Sequence, residues 1–337
     1  MKKSIIALAV AGAMTAPVVA QADATLYGSF RMGVASTSND GAPGAKTDGD
    51  IDVVDTSSRM GVKGDIDLGL QDTKGLFHWE AQVIGTDDPD QTDTLRARLL
   101  YIGAQGDWGK ATIGKQYMPH YLLISSPTNV FNPGDGSYGE RFNLGNSATG
   151  KTRHYLKRTE GTVAYASPKI GGFQFIAGAA LLGDNDDDNG VNDDNVDIYN
   201  VAATYTVGGF TLSGSVASFD DGAVNENDIW GIAAKYKVNG LELMAKYEDE
   251  EEDVNGSKAV ESDVWELAAR YTVNSTSFYG RYSDFESETT LADSDFKQWG
   301  VGIQQKLGRG RVYLEHVNND SEDTAGDRTI AGYRVDF

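Results

Sequence analysis

Alternation between apolar and polar residues is the feature of this sequence that most constrains its fold. Over 241–248, Leu, Ala and Tyr at odd positions alternate with Glu, Met and Lys at even ones. Similar alternation returns in 265–273 and 298–306. A period of two places one set of side chains on each face of a β-strand. The second half of the chain is therefore predicted to consist of strands with one apolar and one polar face.

Two kinds of connection separate these strands, and they alternate along the chain. Short turns suited to tight hairpins fall at Gly208, Asn239, Asn274 and Gly308. Long connections are acidic, with seven Asp and no Lys or Arg in 184–197. Tight turns at one end and long loops at the other are typical of outer-membrane barrels, which have periplasmic turns and extracellular loops.

The number of such segments predicts how the sheet is arranged. We count sixteen strands, of which the second spans 56–68 and the eleventh and twelfth span 240–250 and 261–274. A soluble β-sandwich also has alternating strands. However, sixteen strands favour closure, and Tyr and Trp cluster near strand ends as aromatic girdles require. The predicted fold class is all-β, a transmembrane antiparallel β-barrel of 16 strands.

Composition is consistent with this prediction and excludes one class of partner. Mean hydropathy is -0.39, which alone would describe a soluble protein, but a barrel strand turns only alternate residues to lipid. The formal net charge of -21 argues against nucleic acid, because binding phosphate requires clustered Lys and Arg. There is no cysteine, so no disulfide supports the fold.

The first 22 residues have the three parts of a secretory signal peptide: Lys2 and Lys3, an apolar stretch over 5–16, and Ala20-Gln21-Ala22. The apolar stretch is shorter than the roughly 20 residues of a membrane-spanning helix. We therefore expect 1–22 to be a cleaved signal peptide and 23–337 to be a single domain of 315 residues. Loss of two lysines would change the net charge from -21 to -23.

The chain stops inside an alternating strand, on Phe337, with Tyr333 on the same face. Closing a barrel requires the last strand to pair with the first along its length. The absence of a tail is therefore an expected property of a closed sheet.

One segment, 118–157, interrupts the regular succession of hairpins. It runs for some forty residues without sustained alternation, which is too long for an ordinary connection. Its many aromatic residues argue against disorder. In a barrel of this width we expect it to fold into the lumen and narrow an aqueous channel.

The strands around this segment resemble those of the Gram-negative general diffusion porins. The resemblance is carried by "TLYGSFRMGVAS", "SSRMGVKGDIDLG", "LRARLLYIGAQGDWGKATIGKQYMP" and "KRTEGTVAYASPKIGGFQF", and it extends over essentially the whole chain after the signal peptide. It implies a homotrimer of sixteen-stranded barrels in the outer membrane, with the third loop folded inward. The implied function is passive diffusion of small hydrophilic solutes and ions through a water-filled channel.

The resemblance also implies a constriction with basic residues on the barrel wall. By their places in the motifs, Arg59, Arg98 and Arg158 match the basic positions. Alternation independently directs Arg59 to the lumen and adds Arg31 and Arg96 as candidates.

Acidic residues are implied on the opposing loop. Asp135 and Glu140 are the only acids of 118–157, so they are the candidates. Opposite charges across a narrow constriction create a transverse field that favours dipolar solutes and penalises apolar ones. The terminal Tyr333 and Phe337 are similar to the family's signal to the barrel-assembly machinery.

Metal and enzyme functions have little support in the sequence. The four histidines, His78, His120, His154 and His316, form no metal-ligand spacing or nucleophile motif. The acidic loops lack the ligand spacing of a calcium-binding loop. We therefore expect no catalytic site, no metal site and no cofactor, with Ca²⁺ or Mg²⁺ at most loosely bound at the acidic extracellular loops, where it would bridge to lipopolysaccharide.

Two alternatives remain open at this stage. The arginine count favours a solute-selective porin, for example one for anions such as phosphate. A third hypothesis is an outer-membrane hydrolase or adhesin whose barrel only anchors its loops.

Overall fold

The barrel is seen in a computed structural model, which describes residues 22–38, 50–85, 94–132, 157–182, 196–220, 225–254, 257–289, 295–321 and 326–337. Seventeen strand segments lie in these ranges. They are β1 (Ala22–Thr37), β2 (Asp50–Asp55), β3 (Arg59–Leu70), β4 (Thr73–Val83), β5 (Leu95–Gly106), β6 (Gly109–Gln116), β7 (Thr159–Ala166), β8 (Phe173–Ala180), β9 (Ile198–Val207), β10 (Phe210–Asp220), β11 (Asn225–Val238), β12 (Leu241–Val254), β13 (Ser257–Val273), β14 (Thr276–Thr289), β15 (Phe296–Leu307), β16 (Gly310–Ser321) and β17 (Gly326–Asp336).

The sheet closes on itself. From β3 to β17, each strand pairs antiparallel with the next one along the chain. β17 then pairs with β1 over nine residue pairs. The other edge of β1 pairs with both β2 and β3, so these two segments together occupy the position of one strand in the barrel. The predicted closed barrel of sixteen antiparallel strands is thus confirmed.

The second strand position of the barrel is divided into β2 and β3. This corrects the single strand predicted over 56–68. Residues 56–58 are buried and lie outside the ladder. Ser57 has a positive φ of 79°, and the Ser58 N–H donates to Asp55 Oδ1 at 2.7 Å. This local turn, closed by an aspartate side chain, replaces the ladder hydrogen bonds. A hydrophobicity pattern carries no signal for such an interruption.

The hairpin between β12 and β13 is longer than predicted. The sequence predicts a loop for the acidic stretch after residue 250, but β12 continues to Val254 and β13 starts at Ser257. Pairing continues through Glu250–Ser262 and Glu251–Glu261. The carboxylates of Glu250 and Glu252 are consequently buried inside the barrel wall.

The two faces of the wall differ as the alternation predicts. On β1, Phe30 and Val34 are each 49% exposed, whereas Ser29, Arg31 and Ala35 on the other face are buried. The face with exposed apolar side chains is the outer one, because a barrel in a bilayer turns this face to lipid. Within the described ranges no helix is long and apolar enough to cross a membrane.

The predicted tight turns are confirmed at one end of the barrel. The four turn residues named from the sequence all have positive φ, between 45° and 62°: Gly208, Asn239, Asn274 and Gly308. Glycine and asparagine tolerate this left-handed conformation, which matches the twist of two-residue hairpins.

The chain terminus completes the closure. Phe337 and Gly28 exchange two backbone hydrogen bonds, of 3.0 and 3.1 Å. The Phe337 ring lies 5.3 Å from the Phe30 ring, centroid to centroid. A β-carbon on Gly28 would lie 2.5 Å from the Phe337 ring, so only glycine admits the terminal aromatic here. The last strand therefore pairs with the first up to the final residue, as predicted.

Candidate functional site

Four of the five predicted arginines come together on one side of the lumen. Arg31 lies on β1, Arg59 begins β3, Arg98 lies on β5 and Arg158 precedes β7. Arg59 is within electrostatic range of Arg31 and Arg98, and Arg98 is within range of Arg158. We call these four residues the basic cluster. Like charges this close repel one another, an arrangement typical of functional sites rather than of structural cores.

A β-bulge turns Arg98 into the lumen. In the pairing of β4 with β5, Glu80 faces Leu99 and Ala81 faces Ala97, so Arg98 is an extra residue. Arg98 and Leu99 are both buried, whereas strict alternation would direct one of them outward. Bulges commonly redirect a side chain beside a functional site.

The fifth predicted arginine takes a different position. Arg96 stands opposite Gln82 in the ladder and is exposed. The predicted loop acids, Asp135 and Glu140, lie outside the described residues.

Aromatic and basic side chains flank the basic cluster where β6 runs into the long segment. The Arg98 Nη2 group donates to Tyr117 Oη at 3.2 Å. Tyr117 stacks on Tyr121, with centroids 5.0 Å apart and an interplanar angle of 14°, and Lys157 Nζ lies 5.6 Å from the Tyr121 ring centroid. The sequence offered no periodic signal for these tyrosines, because they lie in the stretch without alternation.

The described beginning of the long segment, residues 118–132, packs against the wall on the other side of the barrel. We call these residues the loop segment. It contains two short consecutive helical turns, Tyr121–Ser125 and Ser126–Thr128, with Ile124 fully buried. Met118 packs with Ala180, Ile198 and Ala217 on three strands.

Three inward carboxylates of this opposite wall bind the loop segment. We call Glu248, Glu266 and Glu315 the acidic wall. Glu248 Oε1 accepts hydrogen bonds from Ser125 Oγ at 2.6 Å and from His120 Nε2 at 3.0 Å. All three carboxylates are at most 2% exposed.

The other two carboxylates bind the second half of the loop segment. Thr128 Oγ1 donates a short hydrogen bond to Glu266. Glu315 Oε1 accepts from the Asn132 backbone N–H at 2.9 Å and from the Asn132 amide at 3.0 Å. Tyr279 Oη donates to the same oxygen at 2.5 Å. Each carboxylate is thus hydrogen-bonded to the loop segment, as buried charges require.

Cations on the same wall complete this network. Lys246 Nζ lies 2.6 Å from Glu248 and 3.4 Å from Glu266. Arg270 Nη2 donates to the Val130 carbonyl at 2.6 Å. Gly300 leaves room for Phe131, whose ring would lie 2.6 Å from an added β-carbon. The loop segment is therefore held by charge-assisted hydrogen bonds and by close packing.

Sequence reasoning missed the acidic wall and the acid of the opposite side, Glu80. Alternation carried a signal for Glu248 and Glu266, since it placed them with the polar set of their strands. The predicted acids both fall in 118–157, whereas the observed carboxylates lie on strands. Among the described residues no group of three His, Asp or Glu is arranged to hold a metal ion.

The closed barrel, with its apolar outer face and charged inner face, defines an outer-membrane β-barrel protein. A model of the Gram-negative porin family matches residues 7–324. The chain belongs to this family, and the outer membrane is its location.

Relatives and solved structures agree with this assignment. The major outer membrane protein P.IB of Neisseria meningitidis serogroup B is 31% identical over 215 residues, which cover 62% of this chain and 57% of that protein. The match thus spans little more than half of that relative's length. The anion-selective porin from Comamonas acidovorans has a TM-score of 0.76 at 18% identity, with 94% of this chain and 100% of that chain covered. The trimer form of in-vitro folded OmpT of Vibrio cholerae has a TM-score of 0.71 at 17% identity, with 94% and 99% covered.

Proposed function

We propose that this protein is a passive porin, a water-filled channel through which small hydrophilic solutes and ions diffuse across the outer membrane. The observation that carries the proposal is the distribution of charge inside a closed barrel. The acidic wall is hydrogen-bonded to the loop segment, whereas the basic cluster opposite contains four mutually repelling arginines. Glu80 compensates one of these charges, that of Arg98, and the remaining charges are stable only where water or passing anions compensate them.

The long segment would form the constriction. Residues 118–132 contact the inner face from β9 to β16 and reach β1, where Arg31 Nη1 donates to the Asn132 carbonyl at 3.4 Å. Continuation of 133–156 across the lumen would place Asp135 and Glu140 opposite the basic cluster. Their carboxylates would then complete the transverse field.

Assembly and export follow from the same proposal. Residues 1–22 would be removed as a signal peptide, which leaves one barrel domain over 23–337. Tyr333 and Phe337 would present the terminal signal to the barrel-assembly machinery, and both rings are partly exposed on the outer face. A homotrimer is supported by the trimeric OmpT structure, whose fold this chain shares.

Contact with lipopolysaccharide would involve divalent cations bound loosely and not at a dedicated site. Above Trp265 on β13, Asp263 faces Asp249 on β12 and Glu286 on β14 in register. Like charges directly opposite one another on a sheet are destabilising. Diffuse Ca²⁺ or Mg²⁺ between these carboxylates and anionic lipid would relieve that repulsion, and we propose no other cofactor.

The test is single-channel recording of the purified protein in planar bilayers, with heat-unfolded protein as the control. We expect large, ohmic conductance that appears in steps of three, one for each protomer. Folded protein that inserts and does not conduct would overturn the proposal and leave a barrel that only anchors a hydrolase or an adhesin.

A second candidate is a solute-selective porin for anions, favoured by the basic cluster. Its test is titration of the open channel with phosphate while chloride current is recorded. Saturable block at low phosphate concentration would establish selectivity, whereas a current that is insensitive to phosphate supports general diffusion. Neither version requires enzymatic activity.

A further inference from the structure

A continuous series of hydrogen bonds joins side chains of three strands, β1, β4 and β5, and ends on the basic cluster. Tyr101 Oη lies 2.9 Å from His78 Nδ1, and His78 Nε2 lies 2.5 Å from Tyr27 Oη. Tyr27 donates to Glu80 Oε2 at 2.9 Å. The other carboxylate oxygen, Oε1, accepts from Arg98 Nε at 2.6 Å.

The hydrogen bond from Tyr27 to Glu80 determines which atom is the donor in every other hydrogen bond of this series. The Tyr27 hydroxyl has a single proton, which it gives to Glu80, so its oxygen must accept from His78 Nε2–H. In the neutral ring His78 Nδ1 is then an acceptor and receives the Tyr101 proton. The chain is therefore polarised towards Glu80 along its whole length, and each link supports the next.

Glu80 is the carboxylate that faces the basic cluster among the described residues of β1 to β7. Its side chain is 7% exposed and that of Arg98 is 5% exposed, so the pair is almost dry. Glu80 is also within electrostatic range of Arg59. A second arginine could therefore attract this carboxylate away from Arg98 if nothing held it.

We propose that Tyr27, His78 and Tyr101 are positioning residues that hold Glu80 against Arg98, and that this fixed carboxylate sets the ion selectivity of the pore. We call the three residues the Glu80 clamp. With Glu80 in place, Arg98 is neutralised, while Arg59 and Arg158 keep their full charge. This inference rests on the proposed channel function.

The first experiment removes the fixed charge. The reversal potential of the channel is measured under a KCl gradient for wild type and Glu80→Gln. We expect Glu80→Gln to increase the anion-to-cation permeability ratio about threefold, because loss of this negative charge leaves the charge of Arg98 uncompensated. An unchanged ratio in a conducting channel would overturn the role of Glu80.

The second experiment tests whether the clamp acts through Glu80. Tyr27→Phe keeps the ring and removes the donor, which loosens the pair and leaves Arg98 less neutralised. We expect a shift towards anions of about 1.5-fold in the wild-type background and none in the Glu80→Gln background, since contacting residues show non-additive effects. Equal shifts in both backgrounds, or no shift in either, would overturn the clamp.

Substitutions of His78 test the Glu80 clamp independently. The amide nitrogen of Gln can donate to Tyr27 as His78 Nε2 does, and Leu cannot. We expect His78→Gln to retain the wild-type ratio and His78→Leu to shift it as Tyr27→Phe does. Identical ratios for the two variants would contradict the clamp.

Tyr313→Phe is the matched control. Its hydroxyl also lies inside the barrel but contacts Thr56, 3.1 Å away. We expect its effect on the permeability ratio to be the same in the wild-type and Glu80→Gln backgrounds. A wild-type protein that fails to conduct would overturn the proposed channel function itself. A channel that conducts, but in which the effect of Tyr27→Phe does not depend on Glu80, would overturn only the clamp.

Discussion

The two sides of the lumen carry charges of opposite sign, and the charges of each side have different interactions. On the acidic wall, every carboxylate is hydrogen-bonded to the loop segment, and Lys246 lies between Glu248 and Glu266. On the other side, Glu80 pairs with Arg98, while Arg59 and Arg158 have no such carboxylate partner among the described residues. One set of charges holds the loop segment against the wall, and we propose that the other acts on ions in the pore.

The difference follows from the cost of removing charge from water. A buried carboxylate is tolerated when donors surround it, and removal of one partner leaves the other uncompensated. A cluster of like charges can instead remain wet, because water and counter-ions screen it. The comparison therefore makes separate predictions: substitutions on the acidic wall change stability, and substitutions in the basic cluster change selectivity.

The largest expected effect is on the acidic wall. Glu248→Ala removes the acceptor of His120 and Ser125 and the closer ion partner of Lys246. We expect the free energy of unfolding to fall by about 3–5 kcal/mol, as it does when one partner of a buried pair is removed. The measurement is a urea titration of the barrel in detergent micelles.

The control for this variant is Glu251→Ala, on the same strand. Glu251 is exposed and pairs with Lys258 at 3.4 Å, and exposed pairs contribute about 0–1 kcal/mol. If both variants lose the same amount of stability, the distinction between the two faces of β12 is wrong.

A smaller effect is expected on the loop side of the same contacts. Asn132→Ala removes the amide that donates to Glu315, Tyr279 and Gln304 but retains the backbone N–H. We expect a loss of about 1–3 kcal/mol, typical of a buried polar group left without a partner, together with noisier open-channel current.

Ser126→Ala, in the same loop segment, is the comparison for Asn132. The Ser126 hydroxyl donates only to the Leu122 carbonyl one turn earlier. Equal noise and stability in the two variants would mean that the amide of Asn132 does not fix the loop segment.

The smallest effect concerns the basic cluster and needs no substitution. If Arg59 and Arg158, the half-buried members of the cluster, are wet, salt should screen them, since the Debye length falls from about 10 Å at 0.1 M to about 3 Å at 1 M. The anion preference should therefore weaken as KCl rises between these concentrations. Measured permeability ratios that do not change with salt would place the charges out of reach of bulk ions.

Much of this account could be predicted from the sequence, because period-two alternation determines both the strands and their faces. Alternation alone placed Arg31 and Arg59 inside, and turn chemistry predicted the positive φ of Asn239. The orientation of Arg98 depends on a bulge, which hydrophobicity does not encode. The loop-segment partners of Glu248, His120 and Ser125, lie more than a hundred residues away in the chain, and no local sequence pattern predicts a contact of that separation.

The most direct test of the account compares the two sides in one measurement. The reversal potential under a KCl gradient is recorded for wild type, for the double variant Arg59→Ser with Arg158→Ser, and for Glu266→Gln. The account predicts a shift towards cations of about two- to threefold per arginine removed, and almost no shift for Glu266→Gln. A large shift for Glu266→Gln, or none for the double variant, would contradict the claim that the side of the basic cluster, and not the acidic wall, faces the ions.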